Sequence, residues 1–339
     1  MSRAIRSWVE DWWRGQGGLL GRALDLGLYP AELLFRGVVD LRGWAYDHGV
    51  FRSERVPIPV LSIGNIGVGG TGKTPVTRWL VSELRRRGLQ PAILHGGYAL
   101  DEPELHRLWH PEVPVLVGKD RRLTAQRGIE SGAEVLVLDD GFQHRRLARD
   151  LDIVLIAAES WGRDIRLIPR GPWREPLGAL ARAGVIGVTR KTASREEAAL
   201  VLDELIRYAP DAHQLQIEIA PSGWSPERPR GGVVAVTGIA RPELFIENLH
   251  QLGIELIEAL SYPDHHLYTE SDLEEIERVA RGRPIVTTAK DIVKFRDLES
   301  ELEFFVLEQE IQIESGADSF RTLLDRLVGR GETIEGVDR

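Results

Sequence analysis

The chain has 339 residues, of which 42% are hydrophobic and 28% charged, and its net charge at pH 7 is −9. The length is enough for two domains, and the composition is that of a soluble globular protein. The negative charge argues against a general nucleic-acid binder. There is no cysteine, which excludes disulfides, thiolate metal sites and cysteine nucleophiles and is consistent with a reducing compartment.

Residues 1–56 are unusually rich in tryptophan and carry an amphipathic pattern. Four of the nine tryptophans lie here, namely Trp8, Trp12, Trp13 and Trp44. Apolar residues recur at helical spacing at Leu34, Val38, Leu41 and Ala45. Charges interrupt every apolar run well before the ~18 residues of a membrane span, and the segment lacks the features of a signal peptide. Two interpretations stay open: helices that lie on a membrane with tryptophans at headgroup depth, or helices packed on the protein's own core.

From residue 57 onward, short apolar runs alternate with longer helical patterns such as 75–88. The predicted strands of a first domain, 57–222, are 58–63, 91–94, 114–118, 134–140, 152–157 and 185–189. Continuous apolar strands between helices are typical of a parallel sheet covered by helices, so the fold class is α/β. A proline-rich stretch, 220–232, is the predicted boundary. A smaller α/β domain, 223–339, follows, with predicted strands at 233–238, 254–260, 284–291 and 303–311.

A glycine-rich turn follows the first predicted strand. It matches the phosphate-loop pattern G-x-x-x-x-G-K-[ST] over Gly67, Val68, Gly69, Gly70, Thr71, Gly72, Lys73 and Thr74. Glycines let backbone N–H groups surround phosphate oxygens, and the helix N-terminus adds partial positive charge. Lys73 would contact the β- and γ-phosphates and the Thr74 hydroxyl would ligate Mg²⁺. The pattern therefore predicts a nucleoside triphosphate with magnesium.

Two acids, Asp139 and Asp140, end a neighbouring apolar strand. One of them is predicted to hold the same Mg²⁺, although Asp-Asp-Gly is also good turn chemistry. The phosphate loop alone does not distinguish kinases from nucleotide switches or ATP-dependent ligases. Val68 stands where ParA-like ATPases carry an extra lysine, and the guanine-reading N-K-x-D motif is absent.

Several stretches in order along the chain resemble the tetraacyldisaccharide 4′-kinase family of lipid A biosynthesis. They are "GNIGVGGTGKTP" (64–75), "DEP" (101–103), "DDGFQHRRLARDLDIVLI" (139–156), "GPWREPLGAL" (171–180), "YPDHHLYTESDL" (262–273) and "TTAKDIVKF" (287–295). The resemblance implies transfer of the γ-phosphate of ATP, with Mg²⁺, to the 4′-hydroxyl of an acylated glucosamine disaccharide 1-phosphate. It further implies a peripheral enzyme at the cytoplasmic face of a Gram-negative inner membrane, attached through its N-terminal segment, with no nucleic acid and no obligate protein partner.

The resemblance also assigns roles to single residues. Asp101 corresponds to the base that accepts the hydroxyl proton, and His265 to its hydrogen-bonded partner. Asp101 is expected in the first domain and His265 in the second, so that closure of a hinge would bring them together. The alternatives are a helix cap for Asp101 and an ordinary loop histidine for His265.

Four further positions each have a functional and a structural interpretation. Glu175 corresponds to a glutamate that assists Mg²⁺, with a surface salt bridge as the alternative. Arg121 is expected to contact phosphate, with a solvated arginine as the alternative. Gln143 and His144 are expected beside the active site or in a structural role.

The sequence departs from the family at "HGGYALDEP" (95–103). His95 and Gly96 replace the usual serine and arginine, Leu100 replaces the glycine before Asp101, and an insertion common in the family is missing. These differences affect acyl-chain preference and the placement of Asp101 rather than the nucleotide site. The rival interpretations are a phosphate-loop switch or metallochaperone, and an ATP-dependent ligase of the dethiobiotin-synthetase type.

Overall fold

The computed structural model describes residues 8–9, 11–13, 15–97, 99, 101–162, 165–296, 298 and 301–329. The described residues form two compact units. Unit 1 draws on Met1–Gly96, Val113–Glu218 and Gln312–Arg339, and unit 2 on Gly97–Glu112 and Ile219–Ile311. Two segments therefore group differently from the predicted domains: 97–112 lies with unit 2, and 312–329 lies with unit 1.

The helices alternate with parallel strands over most of the chain. The helices are α1 (Gly18–Gly27), α2 (Tyr29–Asp47), α3 (Lys73–Arg86), α4 (Asp101–Trp109), α5 (Arg121–Glu130), α6 (Arg195–Leu205), α7 (Pro242–Gln251), α8 (Glu270–Ala280), α9 (Ala289–Ile292) and α10 (Ala317–Gly329). The strands are β1 (Val60–Gly64), β2 (Pro91–His95), β3 (Val115–Val117), β4 (Val135–Asp139), β5 (Leu151–Ala157), β6 (Val185–Arg190), β7 (His213–Ser225), β8 (Val233–Thr237), β9 (Leu256–Ser261), β10 (Ile285–Thr288) and β11 (Phe304–Ser315).

Unit 1 contains a parallel sheet in the order β3-β2-β4-β1-β5-β6-β7. Every residue of β1, β2, β4 and β5 is buried, as expected for strands covered on both faces. The chain leaves unit 1 through β7, which was not predicted and which extends into the first part of the proline-rich stretch. The α/β fold class is confirmed.

Unit 2 contains a smaller parallel sheet in the order β11-β10-β8-β9. Two apolar clusters fill it, one around Phe245 and Leu249 of α7 and the other around Leu273 and Ile276 of α8. The predicted strand 284–291 ends early at Thr288, whose hydroxyl accepts the Asp291 N–H and so begins α9. Helix α4 joins this unit from a distant part of the sequence.

The N-terminal helices α1 and α2 belong to unit 1. Helix α2 packs on it through polar contacts and through Phe35, which lies against an apolar cluster of unit 1. Glu32 is buried and accepts the Leu167 N–H at 2.7 Å as well as a hydrogen bond from Arg170. The residues of the predicted apolar stripe at Leu34, Val38 and Leu41 are 72%, 57% and 65% exposed. Ala45, the last residue of the stripe, is 5% exposed. The stripe is therefore open to solvent at its first three positions, and burial against the protein holds only at its C-terminal end.

The tryptophans of this segment divide between the two predicted environments. Trp12 is buried and the Trp13 indole donates to the Pro169 carbonyl at 3.1 Å, so these two pack on the protein. Trp44 is 51% exposed. Among the helices of the described residues, none combines the length and the apolar character that crossing a bilayer requires.

Candidate active site

The phosphate loop connects β1 to α3 in unit 1. Gly69 and Gly72 adopt φ of 119° and 79°, a region that favours glycine because a Cβ would clash with the backbone. Val68, Gly69 and Gly70 at the tip of the loop are exposed, whereas Thr71 and Gly72 are buried. The tip thus presents backbone groups to a ligand while its base is fixed; the Thr189 hydroxyl donates to the Thr71 carbonyl at 3.1 Å.

Lys73 and Asp140 meet at the carboxyl ends of β1 and β4. The Lys73 Nζ lies 3.5 Å from the Asp140 Oδ1. Asp140 has a φ of 53°, which is uncommon for a residue other than glycine and tends to mark functional sites. The turn after Asp139 therefore directs the Asp140 carboxylate toward the lysine of the loop, and the expected turn at Asp-Asp-Gly is present.

Arg174 binds the phosphate loop and Asp140 together, and the sequence analysis did not identify it. Its guanidinium lies 3.1 Å and 3.2 Å from the two Asp140 carboxylate oxygens. It also donates to the Gly67 carbonyl at 3.0 Å and to the Asn65 side chain. A planar fork suits this bidentate contact. The signal was available in "GPWREP", where only the neighbouring Glu175 was singled out.

Glu175 is buried, and the salt bridge considered as its alternative is present but does not lie at the surface. Its side chain is paired with Arg182 at 2.8 Å and accepts from the Gln143 amide at 2.9 Å. The same Gln143 nitrogen lies 2.9 Å from the Asn65 carbonyl. Gln143 therefore connects Glu175 to the residue that enters the phosphate loop.

The oxygen donors expected for magnesium all lie in unit 1. Thr74, Asp139, Asp140 and Glu175 are each less than 9% exposed. Hydroxyl and carboxylate oxygens are the ligands that Mg²⁺ prefers. Asp140 is already compensated by Lys73 and Arg174, and Glu175 by Arg182. It is therefore the oxygen chemistry of these side chains, and not an uncompensated buried charge, that fits a divalent cation.

Arg121 and His144 are also held inside unit 1. Arg121 is 2% exposed and donates to the Gly118 carbonyl, so the alternative of a solvated arginine is wrong. Burial, assisted by the charge of Arg121, lowers the pKa of His144 to about 4. The imidazole is consequently neutral at pH 7.

Asp101 and His265 form a hydrogen-bonded pair in unit 2. Asp101 opens α4 with its side chain 4% exposed, and both of its carboxylate oxygens lie 3.0 Å from the His265 Nδ1. His265 has a φ of 58°, and its side chain is 42% exposed. One face of the pair is therefore closed and the histidine side is open.

The two members of this pair shift each other's protonation. Burial raises the pKa of Asp101, but the hydrogen bond and charge of His265, with the charges of Lys290 and Lys294, outweigh burial and hold that pKa below its usual value. The hydrogen bond to Asp101 raises the pKa of His265. Asp101 is accordingly an anion at neutral pH.

The expectation that hinge closure joins Asp101 and His265 is wrong, because both lie in unit 2 and are already bonded. Sequence order placed α4 with its neighbours in the chain, whereas its packing partners come from 219–311. In the divergent stretch, His95 ends β2 fully buried and Gly96 follows it. Tyr98 and Leu100 lie outside the described residues.

A family model for tetraacyldisaccharide-1-P 4′-kinase matches residues 24–107 and 99–329. The chain belongs to this family. The tetraacyldisaccharide 4′-kinase of Anaeromyxobacter sp. (strain K) is 39% identical over 84% of each chain. The tetraacyldisaccharide 4′-kinase of Syntrophus aciditrophicus (strain SB) is 40% identical over 87% of this chain and 91% of its own. The resemblance inferred from the motifs is confirmed.

A solved member of the tetraacyldisaccharide 4′-kinase family has the same fold. The crystal structure of LpxK from Aquifex aeolicus, described as an "apo" form in complex with ATP, matches with a TM-score of 0.75 and 28% identity. The match covers 90% of this chain and 99% of that chain. Membership of the kinase family leaves no support for the switch and ligase interpretations.

Proposed function

We infer that the chain is a tetraacyldisaccharide 4′-kinase, which transfers the γ-phosphate of ATP to the 4′-hydroxyl of tetraacyldisaccharide 1-phosphate and forms lipid IVA. The observation that carries this conclusion is the family match, because it spans both the phosphate loop and the Asp101–His265 pair. The loop supplies the means to hold the donor, and the pair supplies a base for the acceptor.

On the donor side, Lys73 and the backbone of residues 67–72 hold the phosphates of ATP. The Lys73 ammonium neutralises charge on the transferred group, and we assign Arg121 to a further phosphate contact. Thr74, Asp139, Asp140 and Glu175 would hold Mg²⁺, which supplies positive charge to the phosphates when it is bound. Arg174 keeps Asp140 in place beside Lys73.

On the acceptor side, Asp101 is the general base. It accepts the proton of the 4′-hydroxyl while the sugar oxygen forms its bond to the γ-phosphorus, and the bond from that phosphorus to the β–γ bridging oxygen breaks to release ADP. A sugar hydroxyl is a weak nucleophile, so removal of its proton lowers the barrier. His265 orients the carboxylate through its Nδ1 contact and keeps it anionic.

The exposed face of α1 and α2 is proposed as the membrane-binding surface. Its large apolar side chains are all at least 48% exposed, namely Leu19, Leu20, Leu26, Tyr29, Leu33, Leu34, Val38, Leu41 and Trp44. So many exposed large apolar side chains on two adjacent helices are uncommon on a monomer in water and mark an interaction surface. Because the acceptor carries acyl chains, we place this face on the cytoplasmic side of the inner membrane.

The first test is phosphoryl transfer from γ-labelled ATP to a tetraacyl disaccharide 1-phosphate, in detergent with Mg²⁺. Lys73→Ala serves as the blank. A labelled lipid with wild-type protein and none with the variant is the expected result. Label released only as inorganic phosphate by the wild type would contradict the assigned acceptor.

A further inference from the structure

A second buried charge pair lies in the segment "TTAKDIVKF" (287–295), for which the proposed function gives no role. Asp291 is fully buried, and the side chain of Lys294 is 3% exposed. The two are 2.9 Å apart. Asp291 also accepts hydrogen bonds from Thr237, Tyr268, Thr288 and the backbone N–H of Gly238.

Lys294 contacts Asp101 directly and is linked to His265 through one backbone carbonyl. Its Nζ lies 3.7 Å from the Asp101 Oδ2, which is a charge contact rather than a hydrogen bond. The same ammonium donates to the Gly238 carbonyl at 3.1 Å. That carbonyl also accepts the backbone N–H of His265 at 3.1 Å. One buried cation therefore supports the carboxylate directly and the histidine loop through a shared acceptor.

Space around this network is tight. A Cβ added at Gly238 would come within 3.2 Å of the Asp291 Oδ1 and of the Tyr268 hydroxyl. The Lys294 side chain is buried, and its ammonium is held by the Asp291 carboxylate and the Gly238 carbonyl. Rigid placement of a supporting charge is what a positioned catalytic group needs.

Stability alone does not account for such a pair. The free energy lost when two charges are removed from water offsets much of their mutual attraction. Apolar residues of the same volume often stabilise the folded protein as well or better. Here the pair is fully hydrogen-bonded and adjacent to the proposed base. That combination favours a role in the chemistry of Asp101.

We propose that Lys294 and Asp291 are positioning residues for the acceptor base: Asp291 fixes the Lys294 ammonium, and the ammonium aligns the Asp101 carboxylate with His265 and keeps it anionic. The proposal rests on the proposed function for its catalytic meaning. The other charged groups that face the pair are Lys290, Glu102 and Asp264. Lys290 donates to Glu102 at 2.9 Å, so its charge is largely balanced locally, whereas Lys294 is shared between Asp291 and Asp101.

The test combines a spectroscopic and a kinetic measurement on the full-length protein. The variants are Lys294→Met, Lys294→Arg and the double change Asp291→Asn with Lys294→Met, which removes both charges and leaves no unpaired one. The exposed Lys119→Met is the matched control. The His265 ring signal, assigned by its loss in His265→Gln, is titrated by NMR, and kcat/KM for lipid phosphorylation is measured against pH.

Loss of the Lys294 charge is expected to raise the pKa of His265 by about half a unit or more, because the negative charge of Asp101 is then less compensated. The acid limb of kcat/KM is expected to move upward by about one unit, a tenfold loss of rate on that limb. The Lys294→Arg variant should recover part of both effects, and Lys119→Met should show neither.

Folded variants with an unchanged His265 titration would overturn the proposal and leave the pair a structural one. If the Lys294 variants shift the His265 titration but the wild-type protein does not phosphorylate the lipid, the charge coupling is supported and the kinase assignment is contradicted instead. The two failures are thus distinguishable.

Discussion

At the scale of single residues, Arg174 makes the most specific set of hydrogen bonds in the proposed donor site. Its fork holds both oxygens of Asp140 and the Gly67 carbonyl, a geometry that a lysine cannot reproduce. We expect Arg174→Lys to weaken ATP binding about tenfold, or ~1.4 kcal/mol, with little change in melting temperature. Isothermal titration calorimetry with Mg²⁺ and ATP measures this directly.

The control for this prediction is Arg146→Lys, since Arg146 is exposed and lies in the segment that follows Asp140. It should bind ATP as the wild type does. If the Arg174→Lys and wild-type proteins bind ATP with equal affinity, the positive charge at this position is sufficient and the fork geometry of the guanidinium is not needed.

The Asp101–His265 pair makes stability depend on pH with a predictable sign. The raised pKa of His265 contributes stability that is complete below about 6.5 and is lost as the pH rises through the folded value. The lowered pKa of Asp101 contributes stability above about 3.8 that is lost as the pH falls through its folded value. His265→Gln should therefore lower the melting temperature most between about pH 4 and 6.5 and least near pH 9.

The exposed His250 lies in the same unit and gives the comparison for that measurement. The difference between His250→Gln and wild-type melting temperatures should stay flat across the same range. A flat difference for His265→Gln as well would show that the pair carries no net charge coupling in solution.

At the scale of elements, α2 exposes apolar side chains on its outer face and contacts the rest of unit 1 through Glu32 and Phe35. We expect the triple change of Leu34, Val38 and Leu41 to Glu to abolish sedimentation with lipid vesicles while the melting temperature stays close to that of the wild type, because these side chains already face water. Leu200→Glu is the matched control, since Leu200 is 69% exposed on α6. Vesicle binding that survives the triple change would place the membrane contact elsewhere.

One buried acid contributes to the packing of α2 on the rest of unit 1. Glu32 accepts the Leu167 N–H and pairs with Arg170, so Glu32→Ala leaves a buried donor and a half-buried arginine without this partner. We expect a loss of about 2–4 kcal/mol in the free energy of unfolding. Urea denaturation measures it, and Glu32→Gln, which can still accept the N–H, should lose less.

Sequence patterns located most strands of the unit 1 sheet, because continuous apolar runs such as those of β4 and β5 are typical of strands buried on both faces of a parallel sheet. They missed β7, whose first half alternates with polar residues and whose second half enters a proline-rich stretch. They also could not assign α4 to its unit, since chain order does not record which distant residues an element packs against. Contacts such as those of Arg174 and Lys294 depend on that packing.

At the scale of the whole molecule, the charges are distributed unevenly. Residues 1–56 contain eight arginines and seven acids and so carry a net charge of +1. Since the whole chain carries −9, the remainder carries −10. The N-terminal segment therefore has almost no net charge with which to attract an anionic surface, and the remainder is repelled by one. For the proposed membrane attachment, this leaves the apolar face of α1 and α2 as the binding surface.

This balance predicts how vesicle binding responds to salt. Proteins held by basic clusters lose about 1 kcal/mol per basic residue near the surface when salt screens the attraction. Here we expect binding to vesicles with anionic lipid to stay constant or to strengthen as NaCl rises from about 0.05 to 0.5 M, because screening removes repulsion and burial of apolar surface is not weakened by salt. Vesicles of zwitterionic lipid should bind nearly as well. A steep loss of binding with salt in a sedimentation assay would instead show that local arginines of the helices, rather than their apolar face, hold the protein on the membrane.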